Sequence, residues 1–202
     1  MNIQKAVVAL LGIEYSSIPS TIFLTNISPI FNSLKSFIID YYSKSGFYEC
    51  CVGSIGNDKI IMIKVLPGNN IIDVLKIVTP LCSNLFFFGL AGTIDKRFSV
   101  GDIIKPNSYG NITNNHKEFK EIRIAQSDGL IQETEFYKNL QKKGVSLVDM
   151  ECETVYYYCN KNAVNLSYIV QVSDAPLHTP FYECNVLPID AKEMLRKAGF
   201  YV

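Results

Sequence analysis

The sequence has no tryptophan, two histidines (His116 and His178) and three arginines (Arg97, Arg123 and Arg196). Two histidines exclude a multi-histidine metal centre, and three arginines leave few candidates for bidentate phosphate clamps. The six cysteines, Cys50, Cys51, Cys82, Cys152, Cys159 and Cys184, form no CxxC pair, so their spacing gives a zinc knuckle no support. They read as reduced, mostly apolar core residues. Excess charge is missing too: 19 basic residues balance 19 acidic ones. That argues against a nucleic-acid partner, whose backbone demands concentrated positive charge. No apolar run reaches the ~20 residues of a transmembrane helix, and no small-residue cleavage pattern follows the early Lys5. We therefore expect no membrane partner and a cytoplasmic location. GxGxxG is absent, which removes the dinucleotide fingerprint, and no cofactor or metal is expected.

What is present is a 202-residue chain, 48% hydrophobic and 19% charged. This suits a single globular domain over 1–202 with one sizeable core. The apolar run Lys5 to Leu11 is broken by Gly12-Ile13-Glu14 and reads as a buried first strand and its turn. Glu14 then sits just past a carboxyl end, either on the ligand rim or as a solvated loop acid. Ser28-Pro29 can open a helix, with Ile30, Phe31, Leu34, Phe37, Ile38 and Tyr41 at helical spacing and Gly46 as its end. Residues 47–54 and 59–66 form a hairpin around Gly56-Asn57-Asp58. Pro67-Gly68-Asn69-Asn70 leads into a short helix; the loop is either an anion cradle or a plain cap. Asn84 to Leu90 is the most apolar short strand, and Val100 to Ile104 turns into another. Residues 110–120, with His116, read as an exposed loop, 122–125 as a strand, and 133–143 as a helix closed by Gly144. Near the end, Asp190 caps a last helix, with Glu193 as its capping-box partner.

The stretch Gly144 to Pro176 organises the rest. Strand candidates 145–148 and 166–172 flank a helix, and each runs into acids: Asp149-Met150-Glu151 and Ser173-Asp174. In an open α/β sheet ligands gather beyond strand carboxyl ends, which would bring both acids to one rim. Alternatively Asp149 or Glu151 simply opens the helix. Cys152, Val155, Tyr156 and Cys159 line that helix's apolar face and Tyr157 and Tyr158 widen it, either toward the core or toward a second subunit. Alternating strands and helices with one hairpin predict a three-layer α/β/α sandwich with a central mixed sheet.

Four stretches in order, Val7–Glu14, Gly89–Asp102 (GLAGTIDKRFSVGD), Val148–Glu151 (VDME) and Val172–Asp174 (VSD), carry a resemblance. The sequence is similar to the purine nucleoside phosphorylase and methylthioadenosine/S-adenosylhomocysteine nucleosidase superfamily. The resemblance implies a nucleoside phosphorylase-like fold, a homodimer, and cleavage of an N-glycosidic bond in a purine nucleoside or 5′-modified adenosine. By the same resemblance Met150 would pack beneath the ribose and Glu151 would accept from its 2′- and 3′-hydroxyls. Asp174 would protonate the base at N7, Leu130 would line the base pocket, and Ile131 would read the base through its backbone. Glu14 would activate water. Leu90 stands where the pattern often has serine, Thr93 replaces a second glycine, and no arginine follows the first strand. These departures favour hydrolysis over phosphorolysis. A phosphorylase and a catalytically weak nucleoside-binding homologue remain the alternatives.

Overall fold

The computed structural model describes residues 3–66, 70–110, 121–184 and 187–202. Among the described residues ten strands form one central mixed sheet. Its left part runs β2 (Ile39–Ser45), β3 (Glu49–Ile55), β4 (Asp58–Lys64), β1 (Thr21–Thr25) and β5 (Asn84–Thr93). β2, β3 and β4 form an antiparallel meander, whereas β4, β1 and β5 are parallel. β5 is the hub: β10 (Asn165–Asp174) pairs parallel along one of its edges, and β6 (Ile103–Ile104) pairs antiparallel to β10. On its other edge β1 accompanies only Asn84 to Phe87, and β9 (Leu147–Asp149) pairs antiparallel with Gly92 and Thr93. β8 (Arg123–Gln126) and β7 (Ser108–Tyr109) continue outward from β9.

Side chains alternate through the sheet, as a pleated strand buried on both faces requires. Ile22, Leu24, Ile61, Ile63, Leu85, Phe87, Tyr168 and Val170 face a core that also takes residues of α1 (Ile3–Leu11), α3 (Asn70–Val78) and α5 (Cys152–Lys161). Phe23, Ile60, Met62, Phe88 and Ile169 face the opposite core, closed by α2 (Ser28–Lys35) and α6 (Ala191–Ala198). There Phe23 packs on Phe88 and Phe200 at centroid distances of 5.0 and 5.1 Å. α4 (Thr134–Lys142) sets Tyr137 and Leu140 on a third cluster beside β8 and β9. This is the expected three-layer α/β/α sandwich with a mixed sheet.

Two elements differ from the expectation. Lys5 to Leu11 is not a strand; it lies in the amphipathic helix α1, which buries Ala6, Val7 and Leu11. A short apolar run cannot be told from a buried helical segment by periodicity, and Ala6, Ala9, Leu10 and Leu11 all favour helix. The central first strand is instead β1, whose Thr-Ile-Phe-Leu-Thr composition is strongly β-forming. The helix opened by Ser28-Pro29 ends at Lys35, with Ser36 as its C-cap, and does not run on to Gly46. The segment from Ile39 to Tyr42, with its β-branched and aromatic residues, opens β2 instead. Asp190 does accept from the Glu193 backbone N–H at the start of α6, but the expected capping box stays half-formed, because the Asp190 N–H donates to Gln171 Oε1 at 3.1 Å; Gly199 closes the helix at φ 99°. The 67–69 loop and His116 lie outside the described residues. Four of the six cysteines, Cys50, Cys51, Cys152 and Cys159, are buried. Among the described residues no helix is long and apolar enough to cross a membrane.

Candidate active site

β1 and β9 approach each other head-on along the same edge of β5, one stopping at Phe87 and the other at Gly92. The gap between them, beside Leu90 and Ala91, is a notch in an otherwise continuous sheet. The chain leaving β1 delivers Asn26 and Ile27 to it, and the chain leaving β9 delivers Met150 and Glu151. A cavity of about 270 Å³ fills this notch, and Ser173 and Asp174 at the end of β10 line it as well. Glu151 and Asp174 therefore share one cavity. They do not meet on a common parallel rim, because β9 runs against β5 and β10.

The acids after β9 have separate tasks. Asp149 Oδ1 accepts from the backbone N–H of Cys152 at 3.1 Å and of Glu151 at 3.4 Å, and its Oδ2 accepts from the Tyr168 hydroxyl. Asp149 thus caps the start of α5. Glu151 occupies the N-cap position but makes no side-chain cap bond; its Oε1 accepts from Asn26 Nδ2 at 2.8 Å. Both are buried. Burial raises the Asp149 pKa to about 6, against the pull of Tyr168 and the backbone donors. Burial, then the Asp149 charge, raises Glu151 to about 7.

Asp174 owes its aim to a bulge. Val172 pairs with Ala91 and Asp174 with Gly92, which leaves Ser173 as the extra residue. Bulges re-aim side chains in this way and recur beside active sites. The Ser173 hydroxyl donates to Asp174 Oδ1 at 2.6 Å. Burial raises the Asp174 pKa, partly offset by that bond. A Cβ at Gly92 would lie 2.8 Å from Pro176 Cγ and 3.2 Å from Asp174 Oδ2, so only glycine leaves this carboxylate its place. The loop after Asp174 is closed by backbone bonds between Ala175 and Thr179, without help from the Asp174 carboxylate.

Of the other sequence-derived candidates, Met150, Leu90 and Leu130 line the cavity, although Leu130 is 55% exposed. Ile131 is 64% exposed and is not part of the lining. Glu14 is exposed, at the N-cap of a 3-10 turn after α1, and is also outside the lining. Its placement at the rim depended on reading α1 as the first strand; the residue that follows the true first strand into the cavity is Asn26. Sequence reasoning also missed Ser127, Tyr137, Pro176 and Phe181 on the cavity wall. Asn26 was findable, because Thr21 to Thr25 is β-forming and Ser28-Pro29 marks the next helix. Of the three α5 tyrosines, Tyr156 stacks on Tyr109 at 5.0 Å, Tyr158 packs on the core, and Tyr157 is exposed.

No protein-family model matches the sequence, and no curated protein matches it significantly. Solved structures do match its fold. The Streptococcus pneumoniae MTA/SAH nucleosidase aligns with TM-score 0.72 and 11% identity, covering 89% of this chain and 96% of that one. This is the nucleoside phosphorylase fold. The native futalosine hydrolase of Helicobacter pylori aligns with TM-score 0.71 and 16% identity over 90% and 97% of the two chains. A Plasmodium knowlesi homologue of Plasmodium falciparum PNP aligns with TM-score 0.73 and 13% identity over 93% and 89%.

Proposed function

We propose that this protein is a nucleosidase that hydrolyses the N-glycosidic bond of a purine nucleoside or a 5′-modified adenosine, such as methylthioadenosine or S-adenosylhomocysteine. The observation that carries the reading is the pair of buried carboxylates, Glu151 and Asp174, in one cavity with a largely apolar wall. When the C1′–N9 bond breaks, its electron pair leaves with the base and positive charge grows on the sugar. Asp174, with its raised pKa, gives the proton that neutralises the departing base. Glu151 accepts from the sugar hydroxyls and opposes the ring's positive charge. The water that adds at C1′ loses its proton to a carboxylate on the sugar side, and Glu151 is the one the cavity offers there. Met150 and Leu90 supply apolar contact beneath the ligand.

Hydrolysis is favoured over phosphorolysis because no lysine, arginine or histidine is among the described residues of the lining, and a phosphate dianion would enter without a countercharge. The test is release of free base from a panel of adenosine derivatives, with and without phosphate. Phosphate-independent release supports the reading, and strict phosphate dependence overturns it. A nucleoside-binding protein with little turnover is the second reading, favoured by Glu14 lying outside the cavity; measurable affinity without base release would select it. We propose a homodimer as the working unit, with the exposed Tyr157 of α5 at the contact, since tyrosine is enriched at interfaces. Sedimentation at micromolar concentration giving a 22.7 kDa species alone overturns this.

A further inference from the structure

Asn26 is the one neutral hydrogen-bonding side chain that β1 brings to the cavity, and it is spent on Glu151. A carboxylate only accepts, so the amide must donate to it through Nδ2, as the 2.8 Å contact has it. That choice fixes the amide's orientation and leaves Asn26 Oδ1 as an acceptor, while Glu151 also accepts from the Met150 backbone N–H. We propose that Asn26 is a positioning residue that holds the Glu151 carboxylate in the cavity and favours its ionised form, and that its own Oδ1 adds a second acceptor beside Glu151 for a ligand's vicinal diol. The diol part rests on the nucleoside reading above and deepens it; the hold of Asn26 on Glu151 does not depend on that reading.

The surroundings explain why such a residue is needed. From β9, the Asp149 carboxylate opposes ionisation of Glu151. From β10, the Tyr168 hydroxyl is already committed to Asp149, and Asp174 adds a second acid to the same cavity. From α5, Cys152 is a buried thiol whose pKa is raised, by burial first and then by Asp149. On the α3 side, Ile71 and Ile72 share a small cleft with Glu151, and Asp128 also lines it. No cation is among these groups. Two donors counter burial and the charge of Asp149: the Met150 backbone N–H first, then the Asn26 amide, which is the side chain of the two. Asn26 follows β1 and Glu151 follows β9, so the bonded pair bridges the notch, where a ligand sugar would meet both.

The experiment is a carboxyl ¹³C NMR titration of the full chain, with the Glu151 signal assigned by its loss in Glu151→Gln. Asn26→Leu keeps the size and removes the amide; its Glu151 midpoint should rise by about one unit, the scale of one lost charge-assisted hydrogen bond. Asn26→Asp should give a two-step titration shared by the new pair. An unchanged midpoint in Asn26→Leu overturns the proposal. Should that variant not fold by circular dichroism, Asn26→Ala is read the same way. A second arm measures calorimetric binding of adenosine and of 2′,3′-dideoxyadenosine. Asn26→Leu should weaken adenosine about tenfold and leave the dideoxy compound unchanged; equal weakening of both overturns the diol selection. A shifted midpoint in a protein that binds neither compound leaves the hold on Glu151 standing and overturns the nucleoside reading instead.

Discussion

Acidifying the ligand-free protein from pH 7 to pH 5 should stabilise it, against the usual behaviour of carboxylate-rich sites. Asp149 moves from an ordinary 3.8 to about 6 on folding, and Glu151 from 4.5 to about 7. Both folded values lie above the unfolded ones. The stability gained by binding these protons is complete below the unfolded values and is lost as pH rises through 6 and 7. Taken separately, the two groups would add about 1 and 2 kcal/mol between pH 7 and 5. Protonating either relieves its repulsion on the other, so about 2 kcal/mol is the joint expectation. For a chain of this length that is a rise in Tm of about 4–8 °C. Asp95, held down by Arg97, and Glu121, held down by Ser108 and Arg123, have the opposite sign. Their contributions fall away only below about pH 4.5, outside the window. Thermal unfolding followed by circular dichroism at pH 7, 6 and 5 measures the effect, and Glu151→Gln should remove most of the rise. A wild-type Tm that is flat or falls toward pH 5, or a full rise in Glu151→Gln, refutes the reasoning.

Asp174→Asn should lower base release by about 100-fold or more, mainly in kcat, since the amide can hydrogen-bond N7 but gives up no proton; wild-type rates in a folded variant would end the acid assignment. Gly92→Ala should displace Pro176 and Asp174 and cost turnover at least about tenfold, while a crystal structure shows the loop shifted; unchanged activity would show that the Asp174 position tolerates the push. Tyr168→Phe removes the hydroxyl donor to the buried Asp149 and should destabilise by about 1–3 kcal/mol at pH 7. The penalty should shrink by pH 5, where Asp149 is largely protonated, and chemical denaturation at the two pH values reads it.

The fold was legible where the pattern was long or punctuated. β5, β10, α5 and the β3–β4 hairpin stand as expected, because Gly56 marks a tight turn at φ 58° and the strands carry near-continuous apolar runs. Asp149-Met150-Glu151 and Ser173-Asp174 were visible as acids at strand ends. Their convergence was expected as well, but on a common parallel rim; they meet instead across a notch, because β9 runs antiparallel to β5, and a three-residue strand gives no hint of its direction. The division of labour between Asp149 and Glu151 was equally hidden: either acid could have capped α5, and Tyr168, nineteen residues away in sequence from Asp149, decides it. Misreading α1 as a strand moved the assignment of the site's first residue from Asn26 to Glu14. The apolar stripe of a short helix and a buried strand are alike in composition, and only the packing of Ala6, Val7 and Leu11 against the sheet separates them.

The Asn26–Glu151 hydrogen bond also says when the site comes into being. It closes a loop of 125 residues, whose entropic cost is about 4 kcal/mol on a simple chain-closure estimate, far more than one hydrogen bond returns. It can therefore form only after β1 and β9 have both registered on β5, which makes the notch a late product of folding. A molecule seated there recognises the assembled sheet and not the unfolded chain. Its binding should slow hydrogen exchange in β1 and β5, well beyond the residues it touches, because opening the site to release it means parting the strands at the centre of the protein.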